Sequence, residues 1–332
     1  MSSRRYKTHR AFVCLTLGLF LGGCATSPVQ IADSPALAGV VAPVELDATP
    51  FFPQEALQCG PAALATVLGA AGVPALPADL VPEVFTPGLE GSLQPELLGA
   101  VRRRGLLPYE VSGDLKSLVA QVVAGSPVLI LQNLGLESFP IWHYAVVVGL
   151  DPAANRIILR SGGEARLIMS ARKFLRTWER ADRWGFVVVR PGELPAAIEP
   201  AAYSRAVIGL ESVGRFAEAA RAWEAGLKIT PGQPVYLFGL GNARYALDDL
   251  AGARAAWEHY VALRPEDPSG LNNLAVALGE LGCRERGMSL AERALDNLPE
   301  ADPARTEISR SLQTLRAMPP GRDAGNCQAP RP

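Results

Sequence analysis

The chain has 332 residues, 48% of them hydrophobic and 20% charged, with a formal net charge of −1. Such a composition can bury a core and excludes a broadly disordered chain. The near-neutral balance argues against a nucleic-acid binder working through a basic surface, and five cysteines in this length are too few for a disulfide scaffold. The length suggests two domains of about 100–200 residues each.

Charge is uneven along the chain. Arg4, Arg5, Lys7 and Arg10 precede the apolar stretch Ala11 to Leu21, and the first acidic residue is Asp33. A basic segment, a short apolar run and small residues together predict an export signal over residues 1–23. The run is shorter than the roughly 20 residues needed to span a bilayer. Its end, Leu21-Gly22-Gly23-Cys24, resembles the lipobox of bacterial lipoproteins. That resemblance implies cleavage before Cys24 and lipidation of its thiol; the other reading is an ordinary signal with a chance cysteine. Loss of the signal, and Cys14 with it, leaves a net charge of about −5 and a chain held to a membrane by acyl chains. Ala25 after the cysteine implies the outer membrane, facing the periplasm. Residues 24–50 are rich in Pro, Ala and Ser without a sustained period and read as a tether.

From Phe51 onward the patterns are mixed. Gly60 to Ala71 predicts a buried helix, and Pro95 to Arg104 an amphipathic one ended by Gly105. The run Arg102 to Arg104 reads as a solvated helix end that complements the macrodipole. Pro127 to Gln132 and Tyr144 to Leu150 are apolar runs of strand length. Asp151 to Asn155 turns the second of them into Arg156 to Arg160, and Arg166 to Met169 and Gly185 to Val189 complete an antiparallel sheet. Helices followed by strands make an α+β domain.

Candidate chemistry sits on this layout. Cys59 directly precedes the helix starting at Gly60, where the positive end of the helix dipole lowers a thiol pKa. Gln54, on the approach loop, can offer its amide as an oxyanion donor. His143 is the sole histidine between residues 10 and 258 and opens an apolar strand. A free cysteine and a lone histidine are each ordinary core residues; their joint placement with an upstream glutamine argues for a catalytic-type site. No metal or cofactor is expected.

The segment Gln54-Glu55-Ala56-Leu57-Gln58-Cys59-Gly60-Pro61-Ala62-Ala63-Leu64, with Trp142-His143-Tyr144-Ala145-Val146-Val147-Val148-Gly149 about 80 residues later, resembles the bacteriocin-processing, double-glycine-leader cysteine peptidase family. The resemblance covers roughly Phe51 to Arg190. It implies a papain-like domain over 51–192 with Cys59 as nucleophile, His143 as general base and Gln54 as oxyanion residue, acting on a polypeptide. The family spaces its glutamine six residues before the cysteine, and here the spacing is five. The family's orienting Asp, from an Asp-Pro pair, has no direct counterpart. Asp151-Pro152 lies eight residues along the strand from His143, about 26 Å at ~3.3 Å per residue. A hairpin pairing Leu150 with Arg156 and Ala145 with Ser161 returns Ser161 to the histidine. Ser161 can accept an Nδ1–H bond but brings no negative charge, so the third group is Ser161 or lies elsewhere.

The remainder repeats. Pro231, Pro265 and Pro299 lie 34 residues apart, in register with Ala219, Ala253 and Gly287, with Trp223, Trp257 and Ala291, and with the turn residues Gly214, Asp248 and Gly282. This period resembles the tetratricopeptide repeat and predicts three helical hairpins over 200–301, with a capping helix over 303–318. Such arrays bind a peptide or partner protein. His259 reads as surface. Cys283 and Cys327, the latter in the tail 319–332, can pair under oxidising conditions.

The expected architecture is an α+β papain-like cysteine peptidase domain followed by an all-α tetratricopeptide repeat array. Two functions stay open: a lipid-anchored cysteine peptidase whose repeats recruit substrate, or a catalytically weakened binding module acting as an envelope scaffold. Ser161 favours the second.

Overall fold

The computed structural model describes Val40, residues 42–54 and 57–320, and Cys327. The expected signal over 1–23, the lipidation of Cys24, the start of the tether and most of the tail lie outside the described residues.

The first part runs β1 (Val44–Glu45), α1 (Cys59–Ala70), α2 (Pro77–Val84), β2 (Phe85–Thr86), β3 (Gly91–Ser92), α3 (Gln94–Arg103), β4 (Leu107–Glu110), α4 (Leu115–Val123), β5 (Val128–Asn133), β6 (Trp142–Asp151), β7 (Arg156–Ser161), β8 (Glu164–Ser170), α5 (Ala171–Glu179) and β9 (Gly185–Val189). Seven strands form one antiparallel sheet in the order β4-β9-β5-β6-β7-β8, with β1 added against the far end of β6; β2 and β3 make a separate hairpin. The second part is all α: α6 (Pro200–Glu211), α7 (Phe216–Ile229), α8 (Pro234–Tyr245), α9 (Leu250–Leu263), α10 (Pro268–Glu280), α11 (Arg284–Asp296) and α12 (Ala304–Ala317). The fold class is therefore α+β followed by all-α.

Helix α1 is buried from Gly60 to Leu68, consistent with its apolar residues being spread around the helix rather than along one stripe. It lies on the sheet face formed by Tyr144, Val146, Val148, Leu129 and Phe186. The alternate residues Ala145 and Val147, with Ile130 and Val187, face α4, α5 and α6. Strand β6 is buried from Tyr144 to Leu150 because both faces are covered.

The β6–β7 register departs from the expected one near the turn, where Asp151 faces Arg156 and Leu150 faces Ile157. A bulge at Val148 absorbs one residue, so beyond it Val146 faces Arg160 and the expected register resumes. The carbonyl of bulged Val148 accepts a hydrogen bond from Leu46 N at 2.8 Å. Val44 and Glu45 pair with Leu150 and Gly149, within the stretch read as tether. Gly149 permits this approach, since a Cβ there would lie 2.5 Å from the Val44 carbonyl oxygen. A two-residue strand carries too little pattern to be read from sequence.

The arginine run ends α3, with Arg102 and Arg103 in its last turn, but of the three only Arg103 is exposed. Arg103 and Arg104 clasp Glu83 on α2, at 3.0 and 2.6 Å. Arg102 is half-buried against Gly209 of α6, and burial lowers its pKa. The interface with the repeats continues at Tyr109, whose hydroxyl donates to Ala197 O at 2.8 Å and accepts from Glu199 N at 2.9 Å. One buried cluster runs from Leu107 and Val187 of the sheet through Tyr203, Val207 and Leu210 to Trp223 and Tyr236.

The repeat register predicted from sequence is visible in the backbone. Gly214, Asp248 and Gly282 all have left-handed φ, at +75°, +60° and +81°, in the turns between paired helices. Trp223, Trp257 and Ala291 are buried, as are Ala219, Ala253 and Gly287. Helix α12 closes the array with Ile308, Leu312 and Leu315 inward. Cys283 and Cys327 are joined by a disulfide. His259 is exposed. Among the described residues no helix is long and apolar enough to cross a membrane.

Candidate active site

Cys59 is the first residue of α1, and Gln58 caps the helix without a side-chain hydrogen bond. Gly60 lets the helix start sit against the β2–β3 hairpin, because a Cβ there would collide with the Ser92 side chain. The same hairpin is held to β6 by the Tyr144 hydroxyl, which donates to Ser92 O at 3.0 Å. Burial and the nearby Cys59 push the Tyr144 pKa up.

Cys59, His143 and Gln54 line one cleft of about 730 Å³. Gln54, Cys59 and Ser161 also share a narrow crevice beside it. The Gln54 backbone N–H donates to Gly162 O at 3.0 Å, which ties the approach loop to the β7–β8 turn next to Ser161. All four residues singled out from sequence thus converge, from a loop, a helix start and two strands.

His143 Nε2 lies 2.8 Å from Ser161 Oγ. The contact is made by Nε2, whereas the sequence reading assigned it to Nδ1. In the tautomer that donates Nε2–H to Ser161, Nδ1 keeps the lone pair a general base needs. Burial lowers the His143 pKa.

The expected lowering of the Cys59 pKa is not found. Burial pushes it up, and this outweighs hydrogen bonding to the sulfur from the backbone of Tyr144, Gly60 and Cys59 itself. Both shifts favour the uncharged forms, a thiol at Cys59 and a neutral imidazole at His143.

Several residues around the cleft had no sequence signal. Ser92 Oγ is buried against α1 with no hydrogen-bond partner among the described residues; it sits on a two-residue strand, too short for periodicity to reveal. Asn133, buried at the end of β5, accepts from Gly135 N and Ile141 N, both at 3.0 Å. It thereby shapes the loop that precedes His143. An Asn followed by Leu-Gly-Leu between two strands is a turn signal that could have suggested this.

No family model matches the chain. Protein FlbA of Caulobacter vibrioides is 35% identical over 94 residues, which are 28% of this chain and 16% of that protein. The chain thus spans about a sixth of the length of this curated relative. Among solved structures, a putative C39-like peptidase from Bacillus anthracis is 18% identical with a TM-score of 0.38, covering 45% of this chain and 98% of that one. The peptidase domain of Streptococcus ComA is 19% identical with a TM-score of 0.35, covering 42% and 98%. The Yersinia enterocolitica type III secretion translocator chaperone SycD is 15% identical with a TM-score of 0.34, covering 36% and 87%.

Proposed function

We propose that the chain is a cell-envelope cysteine peptidase, held to the outer membrane by a lipid on Cys24 and facing the periplasm. In this reading Cys59 attacks a peptide carbonyl, His143 takes the thiol proton through Nδ1, and the Gln54 amide with the Cys59 N–H stabilises the oxyanion. Ser161 holds the imidazole through Nε2, and the repeats recruit the polypeptide substrate or a protein partner. The observation that carries the reading is the meeting of Cys59, His143 and Gln54 in one cleft with Ser161 on the far nitrogen of the ring. Substrate binding expels water and brings the proton transfer that the resting pair lacks.

A second reading has its own support. The raised Cys59 pKa and the missing carboxylate favour a binding module that keeps the cleft and has lost most turnover. Incubation of the full chain with a degenerate peptide library, read by mass spectrometry, separates the two. Cleavage by the wild type that is lost in Cys59→Ala, and lowered about 100-fold or more in His143→Ala, is expected for the peptidase. Cleavage retained by Cys59→Ala refutes the mechanism. No cleavage, with a Cys59 alkylation profile unchanged by His143→Ala, establishes the binding module.

A further inference from the structure

The cleft beside Cys59 has apolar walls and charge of one sign. Leu57, Leu89, Ile141 and Trp142 line it and are each more than half exposed, an arrangement that leaves large apolar surface facing water in the empty site. Its charged lining residues, among those described, are Glu90 from the β2–β3 hairpin and Asp182 from the turn between α5 and β9. No Lys or Arg is among these lining residues, and among the described residues neither carboxylate makes an ion pair. By contrast Glu83 on α2 and Glu179 on α5 are each taken by an arginine.

Two carboxylates without an ion-pair partner among the described residues give the cleft lining a negative charge, which low-dielectric walls strengthen. They contribute little when water fills it, and more once an apolar segment displaces that water. We infer that the cleft selects a polypeptide segment that is apolar and carries a basic residue, with Glu90 and Asp182 as the specificity-determining groups. The inference rests on the reading of Cys59 as the residue that meets a bound polypeptide, and it adds the charge of that polypeptide.

The test uses chloroacetyl-Leu-Leu-Arg-amide and chloroacetyl-Leu-Leu-Glu-amide on the full chain, with iodoacetamide as the reference. Alkylation of Cys59 is followed by peptide mapping. These probes need only a thiolate, so they report selectivity whether or not the protein turns over. Iodoacetamide rates in wild type and His143→Ala report separately on activation of Cys59. The Arg probe is expected to label Cys59 about tenfold faster than the Glu probe at low salt, the ratio falling to about twofold near 0.5 M NaCl. Glu90→Gln with Asp182→Asn should bring the Arg-to-Glu ratio near one, each probe rate being divided by the iodoacetamide rate of the same variant so that any change in Cys59 reactivity cancels. Both substitutions keep side-chain shape, and Asn tolerates the left-handed backbone at 182. The salt dependence in wild type needs no variant at all. Equal labelling by the two probes, preference for Glu, or an Arg preference that survives both salt and the double substitution would overturn the inference.

Discussion

Burial and backbone hydrogen bonds act on Cys59 in opposite directions, and burial is the larger. The same burial lowers the His143 pKa, so both shifts favour the uncharged forms. For His143 the folded state prefers the neutral ring. Its contribution to stability is full above the ordinary value near 6.5 and is lost as pH falls through the lower folded value. Ser161 supplies orientation without charge. Ser161→Asp is therefore expected to raise the His143 pKa by about one unit or more and to speed neutral-pH alkylation of Cys59. NMR titration of the ring protons checks it, and an unchanged His143 titration would show that the ring does not sense position 161. The identities of Cys59, His143, Gln54 and Ser161 were legible from motif and hairpin counting. The pKa directions were not, because desolvation depends on how many neighbours close over a group.

At the scale of elements, strand runs and repetition were legible, whereas α2, α4 and α5, of eight or nine residues each, were not read from sequence. Helix α1, strands β5 to β9 and the helical hairpins have patterns of five residues or more and were readable to within a few residues. The pieces that complete the cleft, β2, β3 and the loop shaped by Asn133, are too short for a period. The bulge at Val148 shows the same limit, since counting across the turn cannot reveal which residue drops out of register. The disulfide belongs to this scale too. Cys283 and Cys327 are 44 residues apart, and a loop of that size stabilises by about 4 kcal/mol at most through the unfolded chain. Cys327→Ser should lower the urea midpoint of the array under oxidising conditions, with no effect once both proteins are reduced. A midpoint that does not move would mean that the bridge leaves the array's stability alone.

At the scale of the molecule, the two predicted domains share a core. Helix α6 packs on β4, and Tyr203, Val207 and Leu210 are buried in the same cluster as Leu107 and Val187. Each such side chain contributes about 1.5–3 kcal/mol when buried, against a total stability of about 5–15 kcal/mol for a domain. A fragment ending at residue 198 is therefore expected to lose near-UV circular dichroism and cooperative urea unfolding, whereas one ending after α7 at 230 retains both. A fully cooperative 40–198 fragment would show the first hairpin to be dispensable. The sharing also explains Arg102, which meets α6, a contact that helix periodicity cannot supply.

The sequence by itself determined the order of fold classes, the repeat register and the residue types of the candidate site. These depend on local pattern, on a 34-residue period and on which side chains carry chemistry. Tertiary structure decided the protonation of the site, the carboxylates on the cleft wall, the entry of Val44–Glu45 into the sheet and the fusion of the repeats to it. Each of those is set by distances between residues far apart in the chain, where burial and charge act through space.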